Sequence, residues 1–267
     1  MDLNNQHIIK TSNLSIGYTS KKNVNTIAAD LNIELGKGKL VCLLGKNGIG
    51  KSTLLRTLTK VQPALSGEIF INNTNLKTLN SVELAKSLSL VLTEHLPESN
   101  LSVYELVALG RQPYTNWVGN LSETDLKFID NAFEQTNTKH LINAKYYELS
   151  DGQLQKVLIA RALAQNTDII ILDEPTAHLD IHHTIETFAL LKKLAKDFHK
   201  TIIVSTHEVN LALQLADILW LMTPSNFMAD TTENLIENDR LDQLFESDLI
   251  SFNKTLKQFT LSNSYQP

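Results

Sequence analysis

The sequence predicts an α/β fold: a parallel-sheet core carrying a phosphate-binding loop, an antiparallel β edge near the N-terminus and an inserted helical subdomain. Three observations predict it. Short runs that are apolar at nearly every position, Lys39 to Leu44, Asp168 to Leu172, Thr201 to Ser205 and Ile218 to Met222, suit parallel strands covered on both faces by helices. The pattern G-x-x-x-x-G-K-[ST] stands directly after the first run, at Gly45-Lys46-Asn47-Gly48-Ile49-Gly50-Lys51-Ser52. Between the first and second runs, Val103 to Gln165 is mostly helical in pattern.

The elements follow in order. Ile8 to Tyr18 and Thr26 to Leu35 read as strands, and Gly36-Lys37-Gly38-Lys39 punctuates the second from the strand that leads into the glycine loop. A helix is expected from Gly50 or Lys51 through Leu54, Leu55 and Leu58. Ser66-Gly67 opens a strand over Glu68 to Ile71. Ser122-Glu123-Thr124-Asp125 has the capping-box form ahead of Leu126, Ile129 and Phe133. Ile185, Phe188, Leu191, Leu194 and Phe198 recur every three or four residues, as on a helix that buries one face. In the tail, Leu235-Ile236, Leu241, Leu244-Phe245 and Leu249 suggest one or two short helices, and Lys257 to Leu261 a last strand.

Composition narrows the classes of function. The 267 residues, 42% hydrophobic, are enough to fill a substantial core. A formal net charge of −5 argues against a nucleic-acid partner, whose footprint is basic. One cysteine excludes an internal disulfide, and Cys42, inside an apolar run, reads as a small buried hydrophobe. The N-terminus has neither the basic nor the apolar region of a secretory signal, and no apolar run approaches the ~20 residues a spanning helix needs. A cytoplasmic chain whose membrane role comes through a partner is the expectation.

The glycine loop brings its own chemistry. Its glycines let backbone N–H groups close around phosphates, and the helix N-terminus adds partial positive charge. Lys51 is expected at the β- and γ-phosphates, Ser52 on Mg²⁺ and Thr53 on the α-phosphate side. Ile169-Ile170-Ile171-Leu172-Asp173-Glu174 ends an apolar strand in two acids, where burial is costly unless a cation sits opposite. Three further motifs follow in register: Leu149-Ser150-Asp151-Gly152-Gln153, the turn Ala177-His178-Leu179-Asp180, and His207 just past an apolar strand.

Together these motifs resemble the ATP-binding cassette (ABC) ATPases, from about Ile8 to about Met222. The resemblance implies a P-loop NTPase cassette that binds ATP and Mg²⁺. It implies that Gly45, Lys46, Asn47, Gly48, Gly50, Lys51, Ser52 and Thr53 hold the phosphates, and that Asp173 holds the metal with Ser52. Glu174 becomes the catalytic carboxylate, His207 the switch histidine at the γ-phosphate, and Tyr18 the ring stacked on adenine. Ser150, Gly152 and Gln153 of the signature, with Asp180 of the D-loop, face nucleotide bound to a second copy of the chain. Glu94 falls where the family usually has a metal-contacting glutamine, and Asp151 replaces the commoner signature glycine; it is expected to point away from phosphate. His178 and His182 are four apart, a spacing that can suit a metal on a helix, but no third ligand is in reach by sequence.

The stretch Leu101 to Tyr114, with Gly110-Arg111-Gln112-Pro113, further resembles the importer ATPases for iron–siderophore, haem and cobalamin. The partners implied are a second copy, integral-membrane permease subunits and, indirectly, a periplasmic or surface substrate-binding protein, with the chain peripheral on the inner face of the plasma membrane. The implied division is an ATPase domain over 1–225, its helical subdomain about 95–165, and an extension over 226–267. The alternatives are the ATPase of a zinc or manganese importer, and a non-transport cassette ATPase.

Overall fold

The computed structural model describes residues 7–20, 23–92, 99–245 and 249–262. The chain begins with three strands, β1 (Ile9–Thr19), β2 (Val24–Leu31) and β3 (Glu34–Leu35). The single strand expected over Thr26 to Leu35 is therefore broken. Asp30 adopts a left-handed φ of 55°, and the Asn32 side chain bridges to the backbone of Asn13 and Asp30, which bends the chain between the two pieces. β4 (Leu40–Leu44) is buried along its whole length and feeds the glycine loop, after which α1 (Lys51–Leu58) starts.

β5 (Ser66–Ile71) and β6 (Thr74–Asn75) complete an antiparallel sheet of order β2-β1-β5-β6, with β3 also paired to β1. Next come α2 (Ser81–Ser87) and β7 (Leu88–Val91). Sequence pattern did not indicate α2: only Leu84 is buried, and what fixes it is an Asn80–Glu83 capping box.

The helical subdomain comprises α3 (Val103–Ala108), a 3₁₀ turn over Leu109–Tyr114, α4 (Glu123–Thr136) and α5 (Asp151–Ala164). The Ser122–Asp125 box is closed in both directions. Ile129 and Phe133 pack inward as expected, whereas Leu126 is exposed; spacing names a face, and Leu126 lies beyond the part that α5 covers. α5 is central. Val157 to Ala160 and Ala162 to Ala164 are buried, and Gln165 just beyond it donates to the carbonyls of Ala85 and Leu88 at the head of β7.

Arg111 ties this subdomain together. It is 2% exposed, donates to Asp125 at 2.8 Å and to the Ala164 carbonyl at 2.7 Å, and lies between the rings of Tyr114 and Phe128. The Gly110 position carries a packing reason too, since a Cβ there would overlap the Arg161 carbonyl.

The chain then returns to the core with β8 (Ile169–Asp173), α6 (Ile181–Asp197), β9 (Thr201–Ser205), α7 (Val209–Leu215) and β10 (Ile218–Met222). On α6, Phe188, Leu191 and Leu194 are buried, while Ile185 and Phe198 are exposed, so the buried face is shorter than the periodicity suggested. β11 (Phe227–Thr231) pairs antiparallel with β10, which makes the central order β11-β10-β4-β9-β8-β7, parallel except at that edge. α8 (Thr232–Glu237) and a short 3₁₀ turn put Leu235, Ile236, Leu241 and Leu244 into the core. β12 (Ile250–Asn253) and β13 (Gln258–Leu261) close as a hairpin against α7, held partly by Asn210 to the backbone of Phe259. Cys42 is fully buried, and burial pushes its thiol up, out of reach of nucleophilic chemistry at neutral pH. Among the described residues no helix is long and apolar enough to cross a membrane.

Candidate active site

Strand register assembles the site. Leu43 of β4 and Asp173 of β8 both stand beside Ser205 of β9, so the glycine loop, Asp173-Glu174 and His207 leave the sheet side by side at the carboxyl ends of parallel strands. That edge is where open parallel sheets bind ligands, because loops and helix N-termini converge there. The Thr206 amide donates to the Leu43 carbonyl, which holds the segment leading to His207 against the root of the loop.

The loop needs its glycines for two separate reasons. Gly48 and Gly50 sit at φ of 75° and 113°, the left-handed region that glycine tolerates best. At Gly45 the constraint is space, because a Cβ would come within 2.5 Å of the Met222 carbonyl. Behind the loop Lys51 is 4% exposed; its Nζ donates to the Gly45 carbonyl at 3.0 Å and lies 3.6 Å from Glu174 Oε1. Burial lowers the Lys51 pKa, and the neighbouring Glu174 carboxylate works in the opposite direction.

Ser52 Oγ donates to Asp173 Oδ1 at 3.1 Å, and Ser205 Oγ donates to the same oxygen at 2.6 Å. Ser205 in turn accepts from the Glu174 amide at 2.9 Å. One hydroxyl therefore fixes both acids, a role that sequence reading missed because a serine ending an apolar strand carries no signal until register places Asp173 beside it. Glu174 holds a left-handed φ of 48°, which costs roughly 1–3 kcal/mol in a non-glycine residue. Its Oε1 is 2.6 Å from His207 Nε2. Ser52 and Asp173 place two hard oxygens from different elements together at a helix N-terminus, a donor set that fits Mg²⁺.

Tyr18 is half exposed, and its hydroxyl is 2.8 Å from Thr53 Oγ1 at the start of α1. A pocket of about 590 Å³ opens beside it, bordered by Val24, Arg56 and Gln62. Lys46 and Asn47 are exposed on the loop. Glu94 lies outside the described residues.

The LSDGQ end is organised differently. Ser150 caps α5 in a closed box with Gln153, so the two residues satisfy each other. Asp151 is exposed, and Gly152 is buried under the ring of His183, where a Cβ would overlap the imidazole. Asp180 caps α6, accepting from the His183 amide at 2.9 Å while its second oxygen lies 2.9 Å from His183 Nδ1. The grouped ligands are Asp180, His182 and His183, a set that spacing along a helix does not reveal because Asp180 is the cap rather than a helical residue.

Comparison with known proteins identifies the family. The ABC transporter family model matches residues 28–177. The chain is 36% identical over 258 residues to an uncharacterised ABC transporter ATP-binding protein of Methanocaldococcus jannaschii, covering 96% of this chain and 88% of that one. It is 33% identical over 241 residues to the iron(3+)-hydroxamate import ATP-binding protein of Bacillus subtilis, covering 90% and 88%. Among solved structures, an inward-facing transporter of metal-chelate type superposes with a TM-score of 0.77 at 28% identity, over 96% of both chains. A dimeric bacterial ABC transporter cassette superposes with a TM-score of 0.72 at 28% identity, over 84% of this chain and 98% of that one.

Proposed function

The chain belongs to the ABC transporter family as an ATP-binding, ATP-hydrolysing subunit, and from that premise we propose that it drives a membrane permease importing iron–siderophore chelates. The observation that carries the catalytic part is the convergence of Lys51, Glu174 and His207 at one sheet edge. Glu174 Oε1 stands 2.6 Å from His207 and 3.6 Å from Lys51. The iron–siderophore part is supported by the names of relatives such as the Bacillus subtilis hydroxamate importer subunit.

In this reading Lys51 exchanges Glu174 for the β- and γ-phosphates when ATP binds. The exchange relieves a buried ammonium and frees the carboxylate to orient and polarise the attacking water. His207, already hydrogen-bonded to Glu174, holds that carboxylate in place and reaches the γ-phosphate. The loop amides and the α1 N-terminus stabilise charge on the phosphate oxygens, so the rate comes from positioning and electrostatics. Ser52 and Asp173 would hold Mg²⁺, with Glu94 as a further oxygen, and that ion supplies neutralisation of phosphate charge.

Two copies close around two ATP, with Ser150, Gly152 and Asp180 of each completing the site of the other. Closure passes through the helical subdomain to the permease on the inner face of the plasma membrane; a substrate-binding protein meets the permease rather than this chain. The catalytic unit is residues 1–225 with its helical subdomain at about 95–165, and 226–267 form an extension packed on the core, its first strand β11 joining the edge of the central sheet.

The test is purification of the chain from gently solubilised native membranes, together with uptake of a radiolabelled ferric siderophore in a strain lacking it. A stoichiometric polytopic permease, and uptake restored by the wild type but not by Lys51→Ala, are expected. Recovery without any permease would overturn the importer reading and leave the ATPase standing.

A further inference from the structure

Away from the phosphate loop, the described residues contain one group of three metal-ligating side chains whose ligand atoms all lie within 4.8 Å of one another: Asp180, His182 and His183, of which Asp180 also faces the partner's nucleotide in the proposed dimer. Two of the three are already paired, with His183 Nδ1 and Asp180 Oδ2 2.9 Å apart. The third, His182, sets its ring edge-on to that of His183, with centroids 5.4 Å apart. A tetrahedral site with bonds of about 2.1 Å needs ligand atoms about 3.4 Å apart. The pair, at 2.9 Å, is hydrogen-bonded and stands about half an ångström inside that spacing, so it opens slightly as the cation replaces the shared proton, and His182, whose side chain is 74% exposed, has room to change rotamer.

A carboxylate also stands near the ring of His182. Glu186 Oε2 lies 3.8 Å from His182 Nδ1, beyond hydrogen-bond distance, and is held by Lys156 at 2.8 Å, so the fourth position of a tetrahedral site falls to solvent.

We propose that Asp180, His182 and His183 form a binding site for a borderline divalent transition cation of the Zn²⁺ class, at the junction of the Ala177–Asp180 turn and α6. Two imidazoles and one carboxylate select Zn²⁺, Co²⁺ or Ni²⁺ over Mg²⁺, which prefers all-oxygen ligands such as Ser52 and Asp173. Both groups of the preformed pair also have positions in the fold. Asp180 is the cap of α6, and the His183 ring covers Gly152 at the start of the signature helix. A cation held here therefore fixes the turn and the signature helix relative to each other, on the surface that the proposed dimer uses. The site does not depend on what the permease carries, and it stands or falls separately from the importer reading.

The experiment is calorimetric titration of the untagged, nucleotide-free chain with Zn²⁺ in excess Mg²⁺, repeated with Co²⁺ while recording visible absorption. One Zn²⁺ per chain that Mg²⁺ does not displace is expected, with the intense d–d bands of four-coordinate Co²⁺. His182→Ala, at an exposed position that tolerates truncation, should weaken binding roughly tenfold or more, and Ser52→Ala should leave it unchanged. Absence of stoichiometric binding, displacement by Mg²⁺, or full binding by His182→Ala would each overturn the proposal.

Discussion

At the phosphate loop the reactive groups run from buried Lys51 and Asp173 to exposed His207, and they are tied to residues far away in sequence. Lys51 meets Glu174, Ser52 meets Asp173, and His207 meets Glu174, each pair drawn from different elements of the sheet edge. At the LSDGQ end the polar groups are exposed and satisfied by neighbours three residues away, Ser150 with Gln153 and Asp180 with His183. The first arrangement exists only when the whole sheet is formed, and it presents the Glu174 carboxylate already oriented. The second is a pair of helix caps, stable locally, whose groups become part of an active site only when something else is brought to them. One chain thus carries a preorganised hydrolytic half and a self-contained recognition half, which suits an enzyme switched by assembly.

The sharpest way to break that contrast is Glu174→Gln. If Glu174 polarises water and contributes little to holding ATP, the variant should keep nucleotide affinity while phosphate release falls by about 10²–10⁴-fold. The amide still pairs with His207, so unfolding transitions should stay close to wild type. Radiolabelled ATP binding alongside single-turnover hydrolysis measures both halves of the claim. Unimpaired turnover would remove Glu174 from the chemistry and reduce its left-handed backbone to a packing accident.

The same contrast explains how far each half was legible. Apolar runs ending in Gly45, in Asp173-Glu174 and in Ser205 were enough to place the central strands and the site at their ends, because a buried strand leaves no alternative to its composition. Caps were legible for the same kind of reason: Ser122 with Asp125 is a local rule, and the structure closes it in both directions. Two kinds of feature were not legible. One is contact made by register, such as Ser205 holding Asp173 and the Glu174 amide, or Arg111 crossing to Asp125 and Ala164. The other is the extent of burial along a periodic helix. Leu126, Ile185 and Phe198 fit the repeat but lie where no neighbouring element reaches, and periodicity does not say where a partner ends.

A smaller effect should separate the two halves at Ser150. Ser150→Ala removes the hydroxyl that accepts from the Gln153 amide, at a cost of about 1 kcal/mol in stability. ATP binding by the dilute chain should be unaffected, because the phosphate loop does not use Ser150. Hydrolysis should fall further than the stability loss explains, and most clearly at protein concentrations where wild-type activity rises more than linearly. Unfolding curves, nucleotide affinity and the concentration dependence of turnover together decide it. Loss of ATP affinity in the dilute variant would show that the two ends are not independent.

The smallest expected effect is at Asp180. The backbone amide of His183 first, and its ring second, hold this carboxyl below the ordinary aspartate range, with burial opposing them. A folded value below the unfolded one, about 3.9, means the stabilisation is fully present above that value and is lost as pH falls through the folded value. Asp180→Asn keeps a good cap acceptor but does not titrate. Between about pH 5 and pH 2 the wild type should therefore lose stability more steeply than Asp180→Asn, with the two converging at the acid end, because the other carboxylates titrate in both. The group is fully exposed, so the difference in slope should be slight, and it should shrink in high salt as the ionic part of the His183 contact is screened. Parallel slopes across that range would mean that the cap is held by the backbone amide regardless of charge. The recognition end would then be neutral in its energetics, and the phosphate-loop end alone would depend on ionisation.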